Sequence, residues 1–206
     1  MLYTPPRFIE TDPDVIRELI AASPFAMLIS VADGQPVVTH APVVLDEAVG
    51  ENWLVAHVAR ANPHSAALAD GAEVLVIFNG PHAYVSPSWH QEASVPTWNY
   101  AVVHMRCRVH VQTGDAAQAL LDTLSNTFDD ASQPGHLTRD ERARMLKAIH
   151  CVRLEPLHID AKFKLSQNES KTDQQQIVTR LSQLEDENAQ GVANLMLRNL
   201  LAGFGS

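Results

Sequence analysis

The sequence predicts a mainly β protein, an antiparallel barrel with helices packed around it, and three observations lead there. A series of short apolar runs rich in β-branched residues fills residues 25–111. The turn between the first two is the dipeptide Asp33-Gly34, which favours a two-residue hairpin. Only one short helical pattern interrupts the series, so a strand-helix-strand sheet is not indicated. A late strand around Leu154 is expected to complete the barrel. The whole chain, 1–206, reads as a single domain with a helical C-terminal tail over about 173–201.

Each element has a local reason. Asp12 and Pro13 form an N-cap and first-turn pair for a helix with Val15, Ile16, Leu19 and Ile20 on one face, and Pro24 stops it. Phe25 to Ala32 and Val37 to Leu45 make the hairpin, and Asn52 to Val58 a third strand. Ala61 to Ala69 reads as a short helix with Asn62 at its cap and Pro63 in its first position. Val74 to Phe78 is a fourth strand. It empties into a proline-stiffened aromatic segment that returns as a strand near Trp98. Val103, Met105, Cys107, Val109 and Val111 alternate with His104, Arg106, Arg108 and His110, giving one core face and one polar face. Asp115 to Phe128 and Arg139 to Ile149 are helical, joined by the polar run D-D-A-S-Q-P-G-H. Cys151 to Ile159 is the late strand, and the tail is interrupted near Gly191.

Composition narrows the function. The chain has 206 residues and a formal net charge of −9, with no Lys/Arg-rich block. It therefore lacks the basic stripe of a direct nucleic-acid reader. No run approaches the ~18 apolar residues of a membrane span, and the N-terminus lacks the core of a signal peptide. Cys107 and Cys151 lie in apolar strands far apart in sequence, which suits two buried free thiols and a cytoplasmic location. The histidines show no zinc spacing, and the common phosphate-loop and nucleophile-elbow motifs are absent.

Three constellations could carry chemistry. In H-V-A-R-A-N-P-H, residues 57–64, a strand runs through an arginine into a helix start. Backbone N–H groups, Arg60, and the side chains of His64 and Ser65 can hold a phosphate there; a plain cap with a surface arginine fits equally. In A-K-F-K-L-S-Q-N, residues 161–168, Lys162 and Lys164 share a face, and Ser166, Gln167 and Asn168 follow. That strip suits a phosphate or the polar edge of a ring, and also an ordinary charged strand edge. In residues 76–100, Tyr84, Trp89 and Trp98 offer flat surfaces for a planar ligand, for internal packing or for a subunit seam.

Taken together, Y-T-P-P-R-F (3–8), residues 57–64, V-I-F-N-G-P-H-A-Y-V-S-P-S-W (76–89), V-P-T-W-N-Y (95–100) and K-F-K-L-S-Q-N (162–168) resemble the FMN-binding negative transcriptional regulators, the PaiB-like family. The resemblance implies an FMN-binding split β-barrel that forms homodimers with flavin sites at the subunit interface. It implies that Arg60, Asn62 and Ser65 serve the FMN phosphate. Trp98 and Asn99 would lie near the flavin or the dimer seam. Lys162, Ser166, Gln167 and Asn168 would complete the pocket, with Tyr84, Ser86 and Ser88 in a covering loop. Two positions depart from the family pattern: Glu169 stands where the motif continues with arginine, and Cys107 where a glycine is expected.

Function then divides into two classes. One is a repressor of the family's kind, which this acidic chain would serve indirectly, through a partner or a metabolite. The other is an FMN-dependent oxidoreductase, a flavin reductase or pyridoxamine-phosphate-oxidase-like protein, in which His82, His90 or Tyr84 handles protons. A barrel without cofactor, acting as a dimeric binding module, is a third.

Overall fold

The computed structural model describes residues 2–129 and 139–202; the connection expected after Phe128 lies outside them apart from Asp129. Helix α1 spans Pro13–Ala22 and starts as expected, with Asp12 Oδ1 accepting from the N–H of Asp14 at 2.9 Å. Strands β1 (Phe25–Ala32) and β2 (Gln35–Leu45) form the hairpin in the register Ala32↔Gln35. Asp33 and Gly34 have φ of 52° and 75°, the two left-handed positions that a type I′ turn needs. Strand β3 covers Leu54–Ala59, the single turn α2 His64–Ala67, β4 Glu73–Val85, β5 Thr97–Gln112 and β6 Ile149–Lys164. The remaining helices are α3 (Gly114–Phe128), α4 (Arg139–Ala148), α5 (Lys171–Ser182) and α6 (Glu187–Ala202).

The strands follow the order β1-β2-β3-β6-β5-β4, and β1 also pairs with β4 through Met27↔Ile77 and Ile29↔Leu75. The pairs β1–β2, β1–β4, β2–β3 and β3–β6 are antiparallel.

The expected mainly β split barrel is corrected here. Helices and strands take up comparable lengths of the described chain, and the strand order is one closed circuit rather than a split one. The fold is mixed α/β around a six-stranded antiparallel sheet. The helices carry more of the fold than a peripheral layer would, and two strands also outrun their expected ends. β4 continues through Gly80 and Pro81 to Val85, and β6 continues five residues past Ile159. The supposed tail is two helices that bury Ile177, Leu181, Val192 and Met196, so it is core-forming rather than peripheral. Gly191 does not interrupt it. The break lies between Ser182 and Glu187, and Gly191 sits within α6, where a Cβ would come 2.7 Å from Cβ of Pro81.

Two compact units result. One comprises Arg17–Phe78 and His104–Ile159. Its interior holds Leu28, Val43, Leu54, Val76, Phe78, Met105 and Leu154. A second cluster, Val44, Val55, Ala117, Leu120, Leu124 and Cys151, seats α3 against the sheet. The alternation predicted for β5 holds from Val103 to Val109, whose inward residues are fully buried, while Val111 is half-exposed. Cys107 and Cys151 are both buried and unbridged; burial pushes the Cys107 thiol up to about 12.

The other unit comprises Met1–Ile16, Asn79–Val103 and Asp160–Ser206. In it the N-terminal segment runs along the end of β6. The Glu10 N–H donates to Ala161 O at 3.1 Å, and Ile9 bridges Lys162.

Candidate functional site

The junction after β3 lies in the first unit. Its turn is built by Asn62 rather than by a helix. The amide oxygen of Asn62 accepts from the N–H of His64 at 3.0 Å, and its Nδ2 donates to Thr39 Oγ1 at 3.0 Å. Thr39 Oγ1 also lies 2.9 Å from Nδ1 of His64. Ser65 Oγ donates to the carbonyl of Arg60 at 3.2 Å. α2 has only four residues, and the N–H groups of His64, Ser65 and Ala66 are all taken by local acceptors. The expected ring of free backbone donors is therefore absent. What the junction leaves open is side-chain chemistry. Arg60 is exposed and has no side-chain partner among the described residues. His64 is fully buried, and its Nε2 has no hydrogen-bond partner. Burial lowers the pKa of His57 and of His64, favouring neutral rings. It raises that of Cys151, an effect the charge of Arg60 partly offsets.

The remaining expected residues lie in the second unit, and most of their polar atoms bond one another. Asn99 is fully buried; its Nδ2 donates to Ser166 Oγ at 2.8 Å and approaches Sδ of Met196 at 3.4 Å. Ser166 adopts a φ of 61°, an uncommon conformation for a residue with a side chain. Gln167 staples the end of β6, donating to Phe163 O at 2.6 Å and accepting from the N–H of Leu165 at 2.7 Å. Lys164 Nζ donates to Trp98 O at 2.7 Å and to Thr97 Oγ1. Burial lowers its pKa first, and the like charge of Lys162 adds to that; Glu169 opposes both. Lys162 is 9% exposed, donates to Tyr3 O at 3.0 Å and lies over the rings of Tyr3 and Tyr100. So the motifs 95–100 and 162–168, and the tyrosine of 3–8, are complementary parts of one scaffold. Asn168 is exposed and bonds only the side chain of Glu169.

The aromatic segment divides. Tyr84 and Trp98 are 44% and 54% exposed, and both rings, with His82, form one open aromatic face on β4 and β5 (His82–Trp98 and Tyr84–Trp98 centroids each 6.2 Å apart). Tyr84 belongs to a strand rather than a loop; Ser86 and Ser88 follow it, their hydroxyls 2.8 Å apart at the start of a short 3-10 turn.

Sequence reasoning missed the contacts that tie the next residues down. The Gln91 N–H donates to Asp173 Oδ1 at 2.9 Å, and Ser170 Oγ donates to Asp173 Oδ2 at 2.7 Å. The buried His90 ring lies 4.0 Å from Glu169. Glu169, at the family's arginine position, is thus a partner of His90 and Asn168. The only signal for this network was the N-cap pattern Ser170-x-x-Asp173.

That network has a pH consequence. Its hydrogen bonds, first from the Gln91 backbone and then from Ser170, hold the Asp173 carboxyl below its ordinary 3.8. A depressed folded pKa gives stability that is complete above 3.8 and is lost as pH falls through the lower folded value. Acid titration followed by circular dichroism should therefore show a shallower loss of helix for Asp173→Asn than for the wild type. Identical acid limbs would assign the acid sensitivity elsewhere.

Among the described residues no group of three or more His, Cys, Asp or Glu is arranged to hold a metal ion. No described helix is long and apolar enough to cross a membrane.

The six-stranded antiparallel sheet with its covering helices defines a class of fold. Residues 2–157 match the family described as "Putative FMN-binding domain", and the chain belongs to that family. FMN is therefore its expected cofactor, and the unpaired Arg60 and the orphaned Nε2 of the buried His64 fit the phosphate end of such a group.

Among its relatives is "Protease synthase and sporulation protein PAI 2" of Bacillus subtilis. The two are 29% identical over 199 residues, which cover 95% of this chain and 96% of that one. The family resemblance carried by the sequence motifs is thereby shown. Two solved structures share the fold. The FAD and heme binding protein from Mycobacterium smegmatis has a TM-score of 0.64 at 21% identity, covering 80% of this chain and 77% of that one. The flavocytochrome Anf3 from Azotobacter vinelandii has a TM-score of 0.62 at 14% identity, covering 81% and 74%.

Proposed function

We propose that this chain is an FMN-dependent oxidoreductase acting on a small molecule. The observation that carries the reading is the Arg60 junction, where the Arg60 guanidinium and Nε2 of the buried His64 have no hydrogen-bond partner among the described residues, in a family described as FMN-binding. When bound, FMN supplies the hydride and electron transfer. The protein's part is to bind and to shape. Arg60 takes the phosphate, while Asn62 and Ser65 hold the turn that presents it. The other unit carries an exposed aromatic face, on which the Trp98 ring is tilted to His82 and edge-on to Tyr84. Asn99 with Ser166, and Lys164, tie β5 to the end of β6, Lys162 is held by Tyr3, Gln167 bonds the end of β6 itself, and Asn168 is the residue of the strip left facing solvent.

FMN titrated into the purified protein should show saturable changes in flavin absorbance, and NADH or NADPH should then be consumed steadily. Absence of saturation would reduce the chain to a cofactor-free binding module. Flavin that binds but cannot be reduced would favour a second reading, the regulator. That reading rests on the relationship to PAI 2, and it operates through a partner or metabolite, since the net charge of −9 opposes DNA. The two unbridged thiols support a cytoplasmic location.

A homodimer is part of the proposal. On the outer face of the hairpin, Phe25, Met27, Ile29 and Val31 of β1 stand opposite Pro42, His40, Val38 and Pro36 of β2. Phe25 is 66% and Val31 73% exposed, an apolar ladder suited to a second copy. Val31→Glu should halve the mass seen by sedimentation; a mass that does not respond would remove this face from the assembly.

A further inference from the structure

The hydrogen bonds around Thr39 bear on where the proton of His64 sits. The His64 backbone N–H can only donate, so the Asn62 atom that receives it is the amide oxygen. Nδ2 of Asn62 must then be the atom facing Thr39, and it donates to the hydroxyl oxygen. The Thr39 hydroxyl has one proton of its own, and the sole remaining partner recorded for it among the described residues is Nδ1 of His64, at 2.9 Å. With that proton turned to Nδ1 rather than to solvent, Nδ1 accepts and the ring proton lies on Nε2. That N–H sits on a residue with no exposed surface and has no acceptor. An unmet donor of this kind costs about 1–3 kcal/mol, a cost relieved when an acceptor arrives from outside.

We propose that Asn62 and Thr39 lock His64 as the neutral Nε2–H tautomer, and that this N–H is a second phosphate donor at the junction that carries Arg60. The inference rests on the reading of the junction as a phosphate site and adds to it the tautomer that makes His64 a donor, with Thr39 as a positioning residue. It also changes what Asn62 does. Both ends of its amide are committed to His64 and Thr39, so it orients the donor rather than touching the ligand. Burial, which favours the uncharged ring, agrees with this assignment. A neutral donor has a functional meaning, because its contribution to phosphate binding does not titrate across the range in which an exposed imidazole would lose its charge.

The test needs no substitution at first. In protein labelled with ¹⁵N-histidine, long-range proton–nitrogen correlation should show His64 with a protonated Nε2 and a bare Nδ1, unchanged between pH 6 and pH 8. Addition of FMN, or of inorganic phosphate, should shift the Nε2 resonance. Thr39→Val should release the lock and give a mixture of tautomers. His64→Leu should weaken FMN about three- to tenfold, the range for one neutral hydrogen bond, and leave riboflavin, which has no phosphate, unaffected. His64→Gln, which keeps an N–H donor, should recover much of the loss.

A protonated Nδ1 in the wild type overturns the proposal. So does full FMN affinity in His64→Leu when Arg60→Ala has lost it, an outcome that leaves the flavin reading intact. Should the wild type bind no FMN, the flavin reading falls by itself. An Nε2 shift with inorganic phosphate then still supports the donor role, and the absence of that shift ends it.

Discussion

Replacing Leu120 by alanine is expected to destabilise the protein by about 2–5 kcal/mol, the range for emptying a fully packed leucine site. Leu120 has no exposed surface and lies in the cluster through which α3 covers Val44 of β2, Val55 of β3 and Cys151 of β6. Leu124 and Ala117 are its helical neighbours in that cluster, so the loss cannot be made good by one residue turning inward. In a chain of this size such a change lowers the melting temperature by roughly 5–15 °C. Thermal unfolding followed by circular dichroism reads it directly. A shift of under a degree or two would mean that α3 is not a structural part of the sheet's covering layer. Val55 lies on the strand that leads to Arg60, so the same experiment repeated with saturating FMN has a second use. A ligand that binds only the folded chain should raise both melting temperatures.

Arg60→Ala should weaken FMN about ten- to a hundredfold, which is the usual worth of hydrogen bonds to a charged partner. The side chain is exposed and has no partner among the described residues, so its removal breaks nothing in the folded chain. The effect should therefore appear in binding and not in the melting temperature of the free protein. It should also diminish as salt rises, because an exposed charge is screened. Riboflavin affinity should be unaffected by the substitution. Equal FMN affinity in wild type and variant would take the phosphate away from this junction.

Much of the fold was legible because the signals are local. Asp33-Gly34 suits the two left-handed positions of a type I′ turn, whose twist matches that of the strands it joins. Asp12 caps α1 because its carboxylate reaches the first free N–H groups whatever the rest of the chain does. The inward run of β5 follows from alternation alone. The boundaries that failed lie where tertiary contacts override the local rule. Pro81 ought to end a strand, yet β4 passes through it and α6 packs against it at Gly191. The short helix at Ala61 to Ala69 shrank to one turn because Asn62 and Thr39 take up its first donor and side chains.

The candidate site was legible as a set of residues but not as a set of roles. Chemical type picked out Arg60, His64 and Ser65, the strip from Lys162 to Asn168 and the ring of Trp98, and family resemblance added Asn62 and Asn99. Sequence has no way to say which donors are already spent. Asn99 and Ser166 are 67 residues apart and bond each other, Gln167 bonds its own strand, and Lys162 is held by Tyr3, 159 residues away. Thr39, which aims His64, carries no motif at all.

By itself, then, the sequence determined the family, the hairpin, the caps and the inward faces, because these depend on backbone preference and on spacing within a few residues. Only the tertiary structure decided that β4 and β6 run past their expected ends, that the last helices are core, and which polar groups of the described residues are left without partners. Those outcomes depend on hydrogen bonds and packing between residues far apart in the chain. A buried imidazole N–H with nothing to bond becomes visible only once every other donor and acceptor around it has been placed.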